Sequence, residues 1–347
     1  MNAKPDIRAM TVEQLAAQLQ PEWPAWRARQ VVDWLQKGAD FRQMSNLPAA
    51  LRQQLAERYS LAGVTVEKKY VSAADGTVKY GFLLADGERI ESVLMQYRHG
   101  WSQCISTQAG CRMGCAFCAT GRDGWRRNLT AGEMLSEIET AQADHGVRVS
   151  SVVLMGMGEP LDNYDHVVAF LDRLAEPGGV QIGMRHISLS TCGLVDRIEQ
   201  LMQRRYQLTL SVSLHAPNNA IRDRLMPVNR KWPVETLLTA CRAYAEETGR
   251  RISFEYAMVD GVNDTDACAA ELAARLCGML CHVNLIPINT VEGTPWRASS
   301  RQRIAAFTKV LESKGIVTTV RRTLGADIEA SCGQLRRRLQ AEKRESQ

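Results

Sequence analysis

Apolar and polar positions follow different spacings in successive parts of the chain. In the first sixty or so residues, apolar side chains recur every three or four positions, which predicts short helices. Thr11 followed three residues later by Gln14 indicates a capping box at the start of one of them. Over residues 64–97 the period falls to two, which predicts strands, and Asp86-Gly87 is a strong hairpin signal.

From about Trp101 onward, short apolar strands alternate with helical segments. The predicted strands are Cys104–Thr107, Val152–Met155, His186–Ser190, Leu208–Leu214, Ile252–Met258, His282–Ile286 and Val317–Val320. Such alternation predicts an α/β fold with parallel strands and right-handed crossovers. Six or seven units in about 220 residues fall short of the ~250 residues of an eightfold barrel, so we expect an open, partial βα barrel.

These patterns divide the chain into four expected segments. They are a small N-terminal helical accessory domain over residues 1–62, a β-hairpin connector over 63–100, the partial barrel over 101–335 and a charged tail over 336–347. The helical domain has a basic outer face, which is as typical of a solvated surface as of a binding surface.

The composition of the chain predicts no membrane-spanning helix and favours metal or redox chemistry, without deciding between the last two. The 347 residues carry 43 Lys and Arg against 38 Asp and Glu, a net charge of +5 that permits an RNA partner without requiring one. No apolar stretch approaches the ~18 residues of a membrane span, and the N-terminus has charges where a secretory signal has an apolar block. We therefore expect a cytoplasmic protein with no membrane partner. Its ten cysteines then indicate metal or redox chemistry, because cytosolic thiols stay reduced.

Three cysteines stand close together just after the first predicted barrel strand. Cys111, Cys115 and Cys118 have the spacing C-x3-C-x2-C in the first βα loop. A tetrahedral zinc site needs a fourth Cys or His, and the nearest extra cysteine, Cys104, lies back on the preceding strand. Three thiolates suit a [4Fe–4S] cluster whose fourth iron stays open for another ligand. A structural metal site is the alternative.

This spacing resembles that of the radical S-adenosylmethionine (SAM) enzymes. The resemblance implies a partial (β/α)6-type radical SAM barrel, in which the open iron binds SAM and residues at the strand ends hold the rest of it. The candidate SAM-binding residues are Gly158, Glu159, Ser190, Ser213, Leu214, His215 and Asn289. Each is weak by itself, because polar residues are common at strand ends and the segment 156–160 is also typical of a tight turn.

Six longer motifs carry a closer resemblance. They are CISTQAGC (104–111), MGMGEP (155–160), SLHAP (213–217), DGVND (260–264), VNLIP (283–287) and CGQL (332–335). Together they resemble the RlmN/Cfr family of radical SAM RNA methyltransferases, from about Thr11 to Leu335. The resemblance implies methylation of an adenine carbon in RNA, with one [4Fe–4S] cluster and two SAM molecules per turnover.

The same resemblance implies roles for three further residues. Cys332 matches the cysteine that carries the transferred methyl group, Cys104 matches the cysteine that resolves the thioether by forming a disulfide, and Glu91 matches the base that removes the ring proton. Without the resemblance, Cys332 would be a tail thiol and Glu91 a solvated carboxylate. The other five cysteines have no cluster spacing, and we expect them to be small buried residues. They are Cys192, Cys241, Cys268, Cys277 and Cys281.

The resemblance also implies the partners. One branch of the family methylates carbon 2 of an adenine in the peptidyl-transferase region of 23S rRNA and of the adenine 3′ of the anticodon in tRNA. We expect this activity in a monomer whose helical domain binds RNA, with an electron donor such as flavodoxin and flavodoxin reductase. Five arginines are candidates for an RNA-phosphate path: Arg122, Arg126, Arg127, Arg321 and Arg322.

Two alternatives stay open at this stage. The second branch of the family methylates carbon 8 of the same rRNA adenine and confers antibiotic resistance, although residues 222–229, 293–296 and 321–330 are more similar to the carbon-2 branch. The other alternative is a non-catalytic iron–sulfur or zinc module that binds RNA, which would need neither SAM cleavage nor Cys332, Cys104 and Glu91.

Overall fold

The N-terminal region folds as a small helical unit. The protein is described by a computed structural model that covers residues 4–61, 63–122, 124–176, 180–289, 295–328 and 330. The unit contains helices α1 Val12–Leu19, α2 Trp26–Leu35 and α3 Ala49–Arg58. The predicted capping box is confirmed, because the Thr11 side chain accepts the Gln14 backbone N–H and the Gln14 side chain accepts that of Thr11. Leu15, Val31 and Leu51 belong to a core that is separate from that of the barrel.

Three antiparallel strands follow the helices. They are β1 Val64–Val71, β2 Val78–Leu84 and β3 Arg89–Tyr97, and the Asp86-Gly87 turn joins β2 to β3 as predicted. The region differs from the expected hairpin connector, because β1 pairs with β2 and β3 pairs with the first strand of the barrel. Residues 63–100 are therefore the antiparallel end of the main sheet.

The rest of the sheet is parallel. The remaining strands are β4 Gly100–Cys104, β5 Gln108–Gly110, β6 Trp125–Asn128, β7 Val149–Leu154, β8 Ile187–Thr191, β9 Thr209–Ser213, β10 Ile252–Met258, β11 Cys281–Pro287 and β12 Thr318–Val320. In the part of the chain that the structure describes, the main sheet has the order β1-β2-β3-β4-β7-β8-β9-β10-β11-β12, and each pair from β4 onward is parallel. This order confirms the predicted partial βα barrel. β5 and β6 form a small separate sheet.

Helices connect successive strands and cover the sheet. They are α4 Ala119–Arg122, α5 Ala131–His145, α6 Tyr164–Ala175, α7 Val195–Gln203, α8 Asn219–Leu225, α9 Val234–Thr248, α10 Asp266–Leu276 and α11 Arg301–Ser313. Every residue of β10 is buried, as expected for a parallel strand covered on both faces. Among the helices that the structure describes, none has the length and apolar character needed to cross a bilayer.

The first parallel strand lies earlier in the chain than predicted. Its predicted range is Cys104–Thr107, whereas β4 spans Gly100–Cys104. After β4 the chain leaves the ladder, and Ser106 Oγ donates to the Glu91 carbonyl at 2.6 Å. Residues 105–110 are as buried as the strand itself, so an apolar pattern does not mark where the strand ends. With these limits, Cys104 lies at the carboxyl end of β4, the edge of the sheet where barrel active sites lie.

Polar contacts hold the helical unit against α5 and α6. Arg8 Nη1 lies 2.6 Å from Glu139 Oε2, and Arg173 Nε donates to the Arg8 carbonyl at 3.2 Å. Burial raises the pKa of Glu139 to about 7, and the positive charge of Arg8 opposes that rise. The ion pair between the two parts of the chain therefore includes a carboxyl group that titrates near neutral pH.

Candidate active site

A cavity of about 780 Å³ opens at the carboxyl-terminal edge of the parallel strands. Its walls come from the loops after β5, β7, β8, β9 and β11 and from the segment after β12. Nine of the predicted cluster and SAM residues line it: Cys111, Cys115, Cys118, Gly158, Glu159, Ser190, Ser213, His215 and Asn289. The structure thus brings together residues that are far apart in the sequence.

The three cluster cysteines lie on the loop between β5 and α4. Cys118 N donates to the Cys115 carbonyl at 3.1 Å, and Ala116 N donates to the Leu225 carbonyl at 2.9 Å, which ties the loop to α8. Burial raises the pKa of Cys111 to about 12 and that of Cys115 well above its usual range. Such thiols become thiolates at neutral pH when a metal centre binds them, so the donor set fits a metal–thiolate site.

The arrangement of these thiols suits a cluster. In an iron–sulfur cluster each cysteine binds its own iron atom, so three ligands need not converge on one point. The three cysteines around the cavity fit this requirement.

The glycines of the loop after β7 are required by contacts within the chain. A Cβ on Gly156 would lie 2.5 Å from the Ile105 carbonyl oxygen, and a Cβ on Gly158 would lie 2.7 Å from Gln108. Gly158 also has φ of 106°, a conformation that favours glycine. The glycines therefore allow this loop to pack against the chain that follows β4, and this packing forms a cavity wall.

Glu159 connects the ends of two strands. Its carboxylate accepts the Leu161 N–H at 3.0 Å and the Cys192 N–H at 2.7 Å, and its own N–H donates to Gln108 Oε1 at 2.9 Å. Burial raises the pKa of this carboxyl group, and the hydrogen bonds from Cys192 and Leu161 oppose that rise. The loop after β7 and the loop after β8 are consequently held at a fixed spacing.

His215 is neutral and is fixed in one tautomer. Burial lowers its pKa to about 3. Nδ1 accepts the Ala257 N–H at 2.9 Å, so the ring hydrogen is on Nε2. Phe117, from the cysteine loop, packs edge-on against the imidazole with 4.9 Å between ring centroids. The cavity therefore contains an imidazole whose N–H donor is Nε2.

Leu214 was predicted to bind SAM, but it is not among the residues that line the cavity. Its side chain is fully buried, whereas its backbone N–H donates to the Glu255 carbonyl at 3.1 Å and its carbonyl accepts Arg222 Nε at 3.1 Å. Leu214 therefore supports the edge of the cavity through its backbone, while its neighbours Ser213 and His215 line the cavity.

Glu91 and Cys104 share a face of the sheet with a residue that lines the cavity. Val93 lines the cavity and pairs directly with Cys104 across β3 and β4. Glu91 lies two positions before Val93, and alternate residues of a strand and direct cross-strand partners point to the same side. Both side chains are buried. On β2, Lys79 lies opposite Val93, and its Nζ is 3.8 Å from Glu91 Oε2.

The remaining predicted catalytic residue, Cys332, lies outside the described residues. The chain that leads to it is fixed against the turn between β1 and β2. Gly325 N donates to Asp75 Oδ2 at 2.8 Å, and Ser72 Oγ donates to Asp327 Oδ1 at 2.7 Å. Ala330 lines the cavity, so the described chain reaches the site before it ends.

Comparisons with known proteins agree with this site. Residues 7–61 match the family model "Ribosomal RNA large subunit methyltransferase N-terminal domain", and residues 105–272 match "Radical SAM superfamily". Curated relatives from several bacteria bear the name "Probable dual-specificity RNA methyltransferase RlmN". The protein from Alkaliphilus oremlandii is 51% identical over 90% of this chain and 92% of its own length. The protein from Pelotomaculum thermopropionicum is 52% identical over 90% and 86%.

The chain belongs to the RlmN family. A solved radical SAM methyltransferase from Sphaerobacter thermophilus is also similar, with 43% identity and a TM-score of 0.90 over 95% of this chain and 98% of that one. Membership makes the protein a SAM-dependent RNA methyltransferase of the radical SAM superfamily, whose chemistry uses a [4Fe–4S] cluster and SAM.

One cavity residue of this RlmN-family enzyme was not predicted to have a role, and a second was predicted only to contact RNA phosphate. Glu255 is buried on β10 and accepts hydrogen bonds from Ser253 Oγ at 2.8 Å and Asn284 Nδ2 at 2.7 Å. Burial raises the pKa of Glu255. The signal in the sequence was a pair of polar residues, Ser253 and Glu255, on one face of a strand that is otherwise largely apolar. Arg321 also lines the cavity and had been proposed only as a phosphate contact.

The cysteines without predicted chemistry differ from one another. Cys192 is buried as expected, but it also lines the cavity. Cys277 is exposed, so its predicted burial is wrong. It follows the last residue of α10, where the chain turns towards β11, and a thiol at that position has no core to pack into.

The arginines expected along an RNA path occupy different environments. Arg127 pairs with Asp86 at 2.5 Å and Glu133 at 2.8 Å, so its charge is balanced within the protein. Arg322 lines the cavity next to Arg321, and Arg126 is exposed. Arg127 is therefore a weaker candidate for contact with RNA than the exposed Arg126 or the two arginines at the cavity.

Proposed function

We propose that this enzyme methylates carbon 2 of adenine in RNA, in the peptidyl-transferase region of 23S rRNA and 3′ of the anticodon in tRNA. The observation that carries the proposal is one cavity of about 780 Å³ that is bordered by the three-cysteine loop and by the sheet face shared by Val93, Glu91 and Cys104. Ligand pockets of this volume hold molecules of the size of SAM. The dual-specificity names of the relatives support two RNA substrates.

The cluster and SAM are assigned to different sets of cavity residues. Cys111, Cys115 and Cys118 hold the cluster, and the strand-end residues hold SAM. These are Gly158, Glu159, Ser190, Ser213, His215 and Asn289, with Leu214 acting through its backbone. When bound, the cluster supplies the electron that cleaves SAM to a 5′-deoxyadenosyl radical. The buried setting of Cys111 and Glu159 limits the access of water to that reaction.

The methyl group travels on a cysteine. The Cys332 thiol takes the methyl group from one SAM molecule and becomes a thioether. The radical derived from a second SAM molecule then removes one hydrogen atom from that methyl group. The carbon bonds to carbon 2 of adenine, and the one electron that the adduct gives up would be taken by the oxidised cluster, the group that supplied an electron for SAM cleavage. Glu91 takes the ring proton. Cys104 attacks the sulfur of Cys332, so the carbon–sulfur bond breaks with its electron pair on carbon, which takes a proton as the disulfide forms.

Glu91 is suited to this role by its surroundings. A buried carboxylate requires a counter-charge, and Lys79 supplies one at 3.8 Å. Cys104 lies diagonally across the β3–β4 ladder on the same face, so base and resolving thiol approach the substrate from one side.

The position of the methyl group tests the proposal. RNA treated with the reconstituted enzyme is digested to nucleosides, and methyladenosine is compared with authentic 2-methyl and 8-methyl standards by chromatography and mass spectrometry. We expect 2-methyladenosine from both 23S rRNA and tRNA. A product at carbon 8 would assign the enzyme to the other branch, and no product from either RNA would refute the proposal.

A second measurement addresses the non-catalytic alternative. Reduction of the reconstituted protein in the presence of SAM is expected to release 5′-deoxyadenosine. If the cluster forms and no 5′-deoxyadenosine appears, the chain binds an iron–sulfur centre without radical chemistry.

The remaining elements of the proposal concern the cell. We propose a monomer that acts in the cytoplasm, receives electrons from a donor such as flavodoxin with its reductase, and uses the helical unit together with Arg321 and Arg322 to bind RNA. Sedimentation of the purified enzyme with and without tRNA tests the monomer, and a dimer in both conditions would contradict it.

A further inference from the structure

A fully buried arginine lies between the cavity wall and the cysteine loop. Arg222, on α8, is 0% exposed. Each of its three guanidinium nitrogens donates hydrogen bonds. The acceptors are the carbonyls of Leu214 (3.1 Å), Trp232 (3.4 Å), Cys192 (2.7 Å) and Ser213 (3.2 Å) and Oδ1 of Asn229 (3.1 Å). Three of these carbonyls belong to the chain at the ends of β8 and β9, next to the predicted SAM-binding residues.

Arg222 has hydrogen bonds but no ion-pair partner within the part of the chain that the structure describes. Asp223, its neighbour in sequence, is exposed and accepts instead from Asn229 Nδ2 at 2.7 Å. Removing a positive charge from water costs several kcal/mol, and buried charges are usually paired or bound to a metal site. The fold therefore keeps a buried positive charge whose negative partner is missing from the described residues.

The cysteine loop adjoins this charge. The Ala116 N–H, inside the C-x3-C-x2-C segment, donates to the Leu225 carbonyl on α8 at 2.9 Å. Cys115 and Cys192 both line the cavity, and Cys192 supplies the shortest hydrogen bond to Arg222. Burial raises the pKa of Cys115 and Cys192, and the charge of Arg222 opposes the rise at both thiols.

We propose that Arg222 is the positive counter-charge of the cluster and the positioning residue that fixes the ends of β8 and β9 against it. The inference rests on the proposed function, because that assigns the cluster to Cys111, Cys115 and Cys118. A fixed positive charge beside a thiolate-bound cluster stabilises the reduced form, which carries one more electron, and so raises the reduction potential. The same guanidinium sets the distance between strand ends that bind SAM.

Three variants separate charge from structure. Arg222→Gln removes the charge, Arg222→Lys keeps a charge but loses the planar fork, and Arg173→Gln is the matched control. Arg173 is also buried, at 5% exposure, but it lies on α6 at the contact with the helical unit. Each protein is reconstituted with iron and sulfide, its thermal unfolding is recorded, and its reduction potential is measured by a redox titration followed by electron paramagnetic resonance.

We expect Arg222→Gln to shift the reduction equilibrium at least tenfold towards the oxidised cluster, which is ~59 mV more negative for one electron. For Arg222→Lys, the reduction equilibrium is expected to stay within about threefold of that of wild type, because the charge is kept. This variant should nevertheless bind SAM about tenfold more weakly, because a point charge replaces the planar guanidinium that holds the strand-end carbonyls. Arg173→Gln should lower the thermal stability and leave the potential unchanged.

A second design covers the case in which Arg222→Gln does not fold. Asn229→Asp combined with Asp223→Asn leaves the net charge unaltered and moves a carboxylate to the atom that accepts from Arg222 at 3.1 Å. This exchange is expected to lower the potential in the same direction. Potentials equal to that of the Arg173→Gln control would overturn the inference. Wild type that takes up no cluster would instead overturn the proposed function.

Discussion

At the scale of single residues, burial governs the chemistry of this site. It is the largest influence on the pKa of Cys111, Glu159, His215 and Glu255. It keeps His215 neutral and favours protonated Cys111 until a metal centre binds. The hydrogen bonds that accompany burial, such as those of Glu159 to the loop after β8, fix these groups in place.

Removal of the resolving thiol is expected to trap the enzyme on its substrate. Cys104→Ala still forms the bond between Cys332 and adenine, but no thiol remains to break it. We therefore expect a covalent protein–RNA adduct, seen as a shifted band on a denaturing gel and as a mass increase in the intact protein.

The matched controls are Cys241→Ala and Cys332→Ala. Cys241 is buried in α9 and does not line the cavity, so its variant should turn over normally. Cys332→Ala should give neither adduct nor product. Normal turnover without adduct by Cys104→Ala would refute the role proposed for Cys104.

Substitution of Gly158 tests the rigidity of the cavity wall. In Gly158→Ala the new Cβ would lie 2.7 Å from Gln108 at a φ of 106°, so both overpacking and backbone strain oppose it. We expect a loss of about 2–4 kcal/mol of unfolding free energy and weaker SAM binding. Gly146→Ala, at φ of 68° with open space around the Cβ, should lose only about 1–2 kcal/mol. Equal effects in the two variants, measured by denaturant unfolding, would contradict the close packing.

Some functional residues could not be predicted from sequence, because their type usually lies on surfaces. Arg222 is followed by Asp223 and Arg224 on a short helix, a pattern typical of a solvated face, yet it is fully buried. Glu255 is similar, since only its alternation with Ser253 signals it. By contrast, the sequence predicted that Cys111, Cys115 and Cys118 lie near one another, because a loop this short keeps them together.

At the scale of secondary structure, periodicity located the long strands well and the short ones poorly. The predicted β10, Ile252–Met258, and β1, Val64–Val71, have the predicted limits. β5 and β6 were missed because segments of three or four residues are too short to show a period. The start of the barrel was placed too late because its strand continues into an equally buried loop.

The free energy of unfolding is expected to fall with rising pH because of Glu139, the α5 carboxyl group at the contact with the helical unit. Glu139 has a pKa of about 7 in the folded chain against 4.5 when unperturbed, so its contribution is fully present below pH 4.5 and is lost as the pH rises through 7. The loss is at most about 3 kcal/mol of unfolding free energy.

The Glu139→Gln variant tests this dependence. The unfolding free energy of wild type minus that of the variant should fall between pH 4.5 and 7.5, as measured by denaturant unfolding. Glu247→Gln, which alters the exposed pair with Arg205, should follow wild type at every pH. A constant difference between wild type and Glu139→Gln would show that Glu139 does not titrate in this range.

At the scale of the whole molecule, the antiparallel β1–β3 segment and the parallel sheet border one cavity, and the helical unit packs against α5 and α6. In the proposed site the antiparallel strands contribute Glu91, the loop after β5 contributes the three cysteines, and the ends of the parallel strands contribute the residues proposed to bind SAM. The segment after β12 returns to the β1–β2 turn through Gly325 and Asp327. The proposed site therefore depends on the antiparallel strands, the parallel strands and the segment after β12 together.

Methyl transfer through a cysteine has an isotopic consequence that tests the central claim directly. With SAM carrying a trideuterated methyl group, one deuterium is removed from the methyl group before it bonds to adenine, and a proton replaces it when the thioether is resolved. Mass spectrometry of the product nucleoside should therefore show methyladenosine with two deuterium atoms, and the third should appear in 5′-deoxyadenosine. Methyladenosine with all three deuterium atoms would mean that the methyl group was transferred intact, and it would contradict the proposed route.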